Sequence, residues 1–250
     1  LCKRKADVSS AGLGSMGAMA VAAGVAANVV TESLDVSRNR IDDDGIHALV
    51  HAATRAKALK ALNFSENILS RAIEPQCAEA LKRLKKLNVS ACGVDDEAAR
   101  AMFTILCDPQ CALETLNVSK NKITNISGCA IGDALATNDT LRVLDVSWNA
   151  IGAQACAEIS RGLKANRALE TLSLAWNGIG DEGGKHIGDS LGVNRSLRVL
   201  DLSRCRLGGD ACMVISEGLR SNYALTTLRL DHNACGEDGG RHLMTMLMHN

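Results

Sequence analysis

Residues 141–151 read L-R-V-L-D-V-S-W-N-A-I, and the same spacing of apolar residues recurs along the chain. Copies of this stretch begin at nine positions, namely 3, 31, 59, 84, 113, 141, 169, 197 and 225. Successive copies therefore start 28, 28, 25, 29, 28, 28, 28 and 28 residues apart. The first copy is degraded, since it has Ala6 where the others have Leu. A period this regular predicts a chain of small repeated structural units.

Each unit combines a strand pattern with a helix pattern. In the copy at 141–151, Leu144 and Val146 alternate with polar residues, which is the period of a half-buried strand. The rest of that copy has small or apolar residues at helical spacing, at Ala155, Ile159 and Leu163. One strand and one helix cannot bury their apolar faces alone, so neighbouring units must stack.

Each copy has the form L-x-x-L-x-L-x-x-N-x-L, and copies of 28 residues continuing as I-G-x-x-G resemble the ribonuclease-inhibitor-like subfamily of leucine-rich-repeat proteins. The resemblance covers essentially the whole chain and is closest over residues 141–224. It implies an α/β fold, a right-handed solenoid bent into a horseshoe arc, with a parallel β-sheet on the concave face and helices on the convex face. We expect one domain of about nine repeats over residues 1–250. We also expect this sequence to be a segment of a longer protein, because its first repeat is degraded and its last repeat is not followed by a polar capping repeat.

Two repeats depart from the 28-residue period. The third has 25 residues and contains Pro75 and Gln76 where its helix should begin, so we expect a short helix there. The fourth has one extra residue near Pro109, and a proline at this point predicts that the preceding helix ends before it.

Composition and motifs exclude several functional classes. The chain has 28 basic and 28 acidic residues, so a general nucleic-acid or anionic-membrane binder is not expected. The apolar stretch 11–30 is long enough to suggest a membrane segment, but its spacing matches the helix of the first repeat. G-L-G-S-M-G at 12–17 fits a dinucleotide fingerprint, yet two of its glycines coincide with the recurring I-G-x-x-G. We therefore expect no cofactor.

The cysteines are interpreted as packing residues. Cys92 and Cys205 occupy the position that holds Asn in other repeats, where the side chain should bond neighbouring backbone. Cys129, Cys156 and Cys212 are assigned to equivalent small positions of three helices. Cys107 and Cys111 lack a second ligand pair, so no metal site is expected. Ten cysteines without a disulfide pattern, and N-x-S/T sites within the strands, favour the cytoplasm.

The eighth position of the repeat is the strongest candidate for partner recognition because it varies from copy to copy. It holds both tryptophans of the chain, Trp148 and Trp176, in consecutive repeats, so the two should stand side by side. Lys120 and Arg204 occupy the same position in the flanking repeats. Tryptophans with basic neighbours are typical of an interface hot spot. The alternative is that the indoles only shield the apolar residues beneath them.

Further candidates come from the same surface. Arg38 and His232 also occupy the eighth position, and no other of the six histidines is placed on this edge. The fifth position faces outward from the strands and contributes Asp145, Asp201 and Arg229. Recurrence of Asp and Ser at the fifth and seventh positions has a structural alternative, which is hydrogen bonding between neighbouring coils.

We expect a non-catalytic scaffold that binds another protein through the concave face and strand edge, within a larger assembly. No catalytic or metal-binding set recurs at workable spacing. The resemblance leaves two alternatives open. A GTPase-activating protein similar to the Ran GTPase activator would have to present an arginine such as Arg38 or Arg204. The sensing repeats of a NOD-like receptor would need an ATP-binding domain elsewhere in the protein. The resemblance also makes a cytoskeletal or ciliary role plausible.

Overall fold

The computed structural model of the chain describes residues 4–73 and 78–248. The chain divides into two compact units, Leu1–Asn121 and Lys122–Asn250. Both units consist of three-residue parallel strands that alternate with α-helices. The α/β leucine-rich-repeat solenoid predicted from the sequence is confirmed, with one strand and one helix in each coil.

Among its described residues, the first unit contains five strands that pair in parallel in the order of the chain. They are β1 (Lys5–Asp7), β2 (Ser33–Asp35), β3 (Ala61–Asn63), β4 (Lys86–Asn88) and β5 (Thr115–Asn117). The helices of its described residues are α1 (Gly14–Ala26), α2 (Asp43–Arg55), α3 (Ala78–Arg83) and α4 (Asp96–Leu106). Even the degraded first copy therefore forms its strand, and Ala6 pairs with Leu34.

The second unit repeats this arrangement with four paired parallel strands. They are β6 (Val143–Asp145), β7 (Thr171–Ser173), β8 (Val199–Asp201) and β9 (Thr227–Arg229). A 3-10 turn at Asn125–Ser127 precedes α5 (Gly128–Thr137), and the further helices are α6 (Ala153–Ala165), α7 (Gly180–Leu191), α8 (Gly209–Arg220) and α9 (Gly236–Leu247). Each strand residue pairs with the residue 28 positions later, as Val143 does with Thr171, so equivalent positions form straight columns across the strands.

The core of each unit lies between its strands and its helices. In the second unit, Leu144 and Val146 after the start of β6 and Ile159 and Leu163 of α6 are all completely buried. In the first unit, Phe64 takes the corresponding strand position and is also fully buried. Burying a Leu or Ile side chain contributes about 1.5–3 kcal/mol. Because each coil presents the same apolar set, neighbouring coils stack in register.

In most coils, an asparagine at the ninth position of the repeat forms hydrogen bonds to the coil before it. Asn177 donates through Nδ2 to the carbonyl of Val146 in the preceding coil at 3.1 Å and to that of Leu174 in its own coil at 2.9 Å. Its Oδ1 accepts the N–H of Ile151 at 3.0 Å. The same two-coil pattern recurs at Asn39, Asn67, Asn121 and Asn233.

Two cysteines take the asparagine position, as the sequence predicts. The thiol of Cys205 donates to the carbonyl of Leu174 at 3.2 Å, and that of Cys92 to the carbonyl of Phe64 at 3.4 Å. Burial raises the pKa of Cys205 to about 12 and that of Cys92 to about 11, so both remain protonated donors at neutral pH. Each thiol thus replaces the donor half of an asparagine side chain, but supplies only a weak acceptor.

The assignment of the helix cysteines is correct at two positions and wrong at the third. Cys156 and Cys212 are completely buried, but Cys129 is exposed. The small position in the fifth repeat is filled by Gly128, where a Cβ atom would lie only 2.7 Å from the Cα atom of Ala155. Cys129 therefore lies one residue further along the helix and points away from the neighbouring coil.

A second row of asparagines lies in the turns between a helix and the next strand, and forms hydrogen bonds with the backbone there. Asn194 donates through Nδ2 to the carbonyl of Leu163 at 2.8 Å and accepts the N–H of Leu197 at 2.8 Å. Asn166 and Asn222 make the equivalent bonds. Buried backbone groups of the turns are thereby satisfied by side chains, so consecutive strands start at the same level.

The fourth repeat behaves as expected, since α4 ends at Leu106, before Pro109. In the third repeat, the described residues of α3 are the six from Ala78 to Arg83. Pro75 and Gln76 lie outside the described residues. The apolar stretch 11–30 contains α1, the helix of the first repeat. Among the residues that the structure describes, no helix has both the length and the apolarity needed to span a bilayer.

Candidate functional site

The eighth position of every repeat has a left-handed backbone. The φ angles are 54° at Trp148, 58° at Trp176, 55° at Arg204 and 57° at His232. Residues other than glycine adopt this conformation at some cost, so something must hold them there. The backbone N–H groups of the first three donate to the carbonyl of the seventh residue in the next coil, at 2.8, 2.9 and 2.9 Å. This ladder fixes the backbone of the column in these three coils and sets their side chains at one edge.

The two tryptophans are stacked, as their spacing predicts. Their ring centroids are 3.7 Å apart and their planes are inclined by 16°. The guanidinium carbon of Arg204 lies 4.2 Å from the ring centroid of Trp176. The site is therefore a continuous stack of Trp148, Trp176 and Arg204, which we call the indole–arginine stack. A cation over an indole contributes about 0.5–1 kcal/mol at an exposed site.

The indole–arginine stack remains accessible to solvent. Trp148 is 44% exposed and Trp176 is 39% exposed. Large aromatic side chains exposed together on a fixed backbone are typical of an interaction surface. Because each ring is already held by its neighbours, a partner that covers them would lose little side-chain entropy on binding.

An open groove of about 1200 Å³ in the second unit runs beside the stack. Its lining includes Trp176, Arg204, His232, Arg206 and Asp181. Arg206 and Asp181 were not among the residues predicted from the sequence. Arg206 also has a left-handed backbone, with φ 60°, at the tenth position of the repeat, where Gly12 and Gly93 have φ angles of 66° and 78°.

Asp181 is committed to a structural role within this groove. Its Oδ1 accepts the backbone N–H groups of Gly208 at 2.6 Å and Ala211 at 3.3 Å, and so caps the start of α8 from the preceding coil. The carboxylate is thereby engaged with the helix terminus. The side chains left to contact a partner in the groove include the indole of Trp176, the guanidinium groups of Arg204 and Arg206, and the imidazole of His232.

The fifth-position candidates are engaged locally. Asp145 and Asp201 each accept the N–H of the residue two positions later at 2.9 Å, which closes the end of the strand. Arg229 lies 3.6 Å from a carboxylate oxygen of Asp201 in the neighbouring coil. The structure therefore gives Asp145 and Asp201 a stabilising role, and their contact with a partner stays a prediction.

Two predicted residues lie in the first unit. Arg38 and Lys120 occupy the eighth position there with φ angles of 59° and 56°. The Nε of Arg38 donates to Glu66 of the next coil at 2.9 Å. Of the two arginines considered for GTPase activation, Arg38 thus forms an ion pair and Arg204 lies over an indole.

Comparison with known proteins identifies the family. A family model described as "Leucine Rich repeat" matches residues 32–50, 137–160, 165–188 and 193–216. The chain is a leucine-rich-repeat protein. The 28-residue coils with full helices are compatible with the ribonuclease-inhibitor-like subfamily. No curated protein matches this leucine-rich-repeat chain.

Solved structures with a similar fold include two leucine-rich-repeat domains. One is described as leiomodin-1 actin-binding site 2, with a TM-score of 0.50 and 23% identity over 62% of this chain and 86% of that chain. The other is the C-terminal domain of tropomodulin from Caenorhabditis elegans, with a TM-score of 0.51 and 14% identity over 62% of this chain and 92% of that chain. At these identities the likeness concerns the fold alone.

Proposed function

We propose that this leucine-rich-repeat protein is a non-catalytic scaffold that binds another protein through the strand edge of its second unit. The observation that carries the proposal is the exposed indole–arginine stack. Tryptophan and arginine are the residues most enriched at interface hot spots, and here they occur together on a backbone fixed by hydrogen bonds. The groove beside the stack adds Arg206 and His232, so a partner with an apolar contact flanked by carboxylates would complement it.

Actin is the first partner to test. The leiomodin-1 structure with a similar fold is described as an actin-binding site, which makes a cytoskeletal role a specific form of the proposal. The assay is co-sedimentation of the purified chain with actin filaments. A chain that stays in the supernatant at all filament concentrations rejects actin and leaves the scaffold proposal to the next experiment.

The decisive experiment replaces the two indoles. We expect Trp148→Ala combined with Trp176→Ala to weaken binding to the purified partner at least 100-fold, because each hot-spot residue contributes about 2 kcal/mol or more. Partners are first collected by affinity capture on the wild-type chain, and affinities are then measured with purified components.

The matched control removes exposed apolar groups elsewhere in the same unit. Met213 and Tyr223 are exposed by 43% and 79%, and replacing both by Ala should leave affinity unchanged. Circular dichroism checks that both variants are folded. Equal affinity of the folded double-tryptophan variant and the wild type would reject the indole–arginine stack as the binding site.

We also propose a reducing compartment, such as the cytoplasm. The eight cysteines of the described residues are free thiols. Two of the N-x-S/T asparagines, Asn138 and Asn194, are only 8% and 1% exposed, so a glycan on either would be incompatible with the fold. Expression of a tagged chain with imaging tests the location.

A further inference from the structure

We propose a second interaction surface at the opposite edge of the second unit, where four arginines receive an acidic, extended segment of a partner protein. The surface consists of Arg142, Arg167, Arg195 and Arg198, and we call it the arginine edge. It lies at the amino-terminal ends of the parallel strands, since Arg142 and Arg198 directly precede β6 and β8. The indole–arginine stack follows the carboxyl-terminal ends of the same strands.

The arginine edge concentrates positive charge in a chain that is neutral overall. The four side chains are exposed and share a groove of about 240 Å³ with Glu170, so four positive groups face one negative group. Within residues 4–73 and 78–248, none of the four forms an ion pair with a carboxylate. A cluster of this kind attracts anionic groups.

The arginines are held in place by backbone carbonyls. Arg142 donates to the carbonyl of Ala168 in the next coil at 2.8 Å, and Arg198 to that of Ala224 at 3.1 Å. Arg195 donates to the carbonyl of Gly192 at 2.9 Å. Arg167 binds the end of α6 through the carbonyls of Lys164 and Asn166, each at 2.9 Å. A guanidinium has five N–H donors, so each of these side chains keeps donors for a bidentate contact with a carboxylate.

The first unit provides an internal comparison at the second position of the repeat, where Arg142 and Arg198 lie in the second unit. There, two basic residues form ion pairs with an acidic residue of the neighbouring coil, whereas Lys60 forms none with a described residue. Arg4 lies 3.7 Å from Glu32, and Lys85 lies 2.5 Å from Glu114. In the second unit, Glu170 stands between the coils of Arg142 and Arg198, yet both arginines turn to backbone carbonyls instead. The ion pairs of the first unit show that stable coils can have their charges paired at this position. The unpaired arginines of the second unit are therefore not needed for folding, and this favours a role in binding.

The spread of the four charges favours an extended segment over a single compact anion. Neighbouring coils are about 4.8 Å apart, so Arg142 and Arg198, two coils apart, are separated by roughly 10 Å of backbone. Both guanidinium groups are held in the same direction, by the carbonyl of the residue 26 positions later, so they keep about this separation, which suits two carboxylates better than one phosphate. In an extended peptide, side chains on the same face recur at about 6.6–7 Å, so two to three acidic residues in alternation span the edge. The partner segment we infer is an extended acidic stretch with Glu or Asp at alternate positions.

Fluorescence anisotropy of the full chain with a labelled eight-residue peptide of alternating Glu and Ser tests the inference. The comparison peptide has Gln in place of Glu. We expect at least tenfold tighter binding of the Glu peptide, and an affinity that falls between 50 and 200 mM salt because exposed charges are screened. Replacing Arg142 and Arg198 by Gln should weaken binding of the Glu peptide about tenfold.

Three controls isolate the site. Arg220→Gln with Arg241→Gln removes exposed helix arginines of the same unit that already pair with glutamates, and should not change affinity. The double-tryptophan variant should bind the Glu peptide as the wild type does, which separates this edge from the indole–arginine stack. Arg142→Glu with Arg198→Glu should reverse the preference, so that a peptide of alternating Lys and Ser binds better than the Glu peptide.

Several results would overturn the inference. Unchanged binding of the Glu peptide by the folded Arg142→Gln, Arg198→Gln variant would do so, and so would equal binding of the Glu and Gln peptides by the wild type. Displacement of the peptide by millimolar inorganic phosphate at constant ionic strength would assign the edge to a phosphate instead. Binding to phosphatidylserine vesicles without binding to the peptide would assign it to a membrane surface.

Discussion

The ninth residue of the repeat is where a single side chain connects two coils. Asn177 uses both ends of its amide, because Nδ2 donates to carbonyls of two coils and Oδ1 accepts the N–H of Ile151. Cys205, at the same position of the next repeat, donates to Leu174 but has only a weak sulfur acceptor. The two residues are therefore equivalent as donors and different as acceptors, and this difference is measurable.

Replacing Asn177 by Ala should lower the free energy of unfolding by about 3 kcal/mol. The side chain is only 3% exposed, so its loss leaves buried backbone donors and acceptors without partners, at about 1–3 kcal/mol for each group. Asn177→Cys, which copies the chain's own solution at Cys205, should lose less than half as much. Urea unfolding under reducing conditions measures both values. If both variants lost similar free energy of unfolding, the loss would come from the acceptor Oδ1, which neither Ala nor Cys replaces fully, and not from the donor.

At the scale of the element, two helices are capped by the coil before them. The N-cap residues of α6 and α8 are glycines, Gly152 and Gly208, which have no side chain to accept a hydrogen bond. Asn125 binds the N–H groups at the start of α6, and Asp181 does so at the start of α8. A Cβ atom at Gly208 would lie 2.7 Å from a carboxylate oxygen of Asp181. The glycine therefore makes room for the capping side chain of the neighbouring coil.

A double-mutant cycle at α8 tests this exchange. Asp181→Ala removes the cap and should cost about 1 kcal/mol of stability. Gly208→Ser brings its own cap but collides with Asp181, so alone it should also be destabilising by about 1 kcal/mol. In the double variant the collision is absent and the serine caps α8, so stability should return to within about 0.5 kcal/mol of the wild type. Thermal unfolding of the four proteins gives the coupling, and additive losses would contradict the proposed cap.

At the scale of the whole molecule, the repeat period predicted the fold because each coil buries the same set of apolar positions. The apolar positions recur every 28 residues, so strand, helix and ninth-position contacts could all be located by counting. Counting failed at Cys129, which was placed one residue out of register in a coil whose helix opens with a 3-10 turn. The expectation of a single domain over residues 1–250 stays a prediction.

The candidate site was predicted in part. Equal spacing placed Trp148 and Trp176 next to each other, and Arg204 in the following coil. Sequence spacing could not predict contacts between residues at different positions of the repeat, such as the cap that Asp181 provides to the next coil. The left-handed backbone of the eighth position was also hidden, because none of its nine occupants is glycine or asparagine. None of them is β-branched, a pattern that becomes meaningful only once the backbone is known.

The repeated architecture also predicts how far the effect of one substitution spreads along the coils. Each coil contacts only the coils before and after it, so damage at one coil should spread to its neighbours and then fade. In the Asn177→Ala variant, the lost bonds join the coils of β6 and β7, and we expect amide hydrogen exchange to rise in β6, β7 and β8 while β2 and β3 exchange as in the wild type.

The equivalent substitution in the first unit provides the reciprocal control. Asn67 donates to Val36 and Phe64 and accepts the N–H of Ile41, so it repeats the contacts of Asn177 one unit earlier in the chain. Asn67→Ala should raise exchange in β2 and β3 and leave β7 and β8 unchanged, as measured by mass spectrometry of peptic fragments. If either variant raised exchange equally in all of these strands, the chain would unfold as one cooperative body, and the nearest-neighbour description of its stability would be wrong.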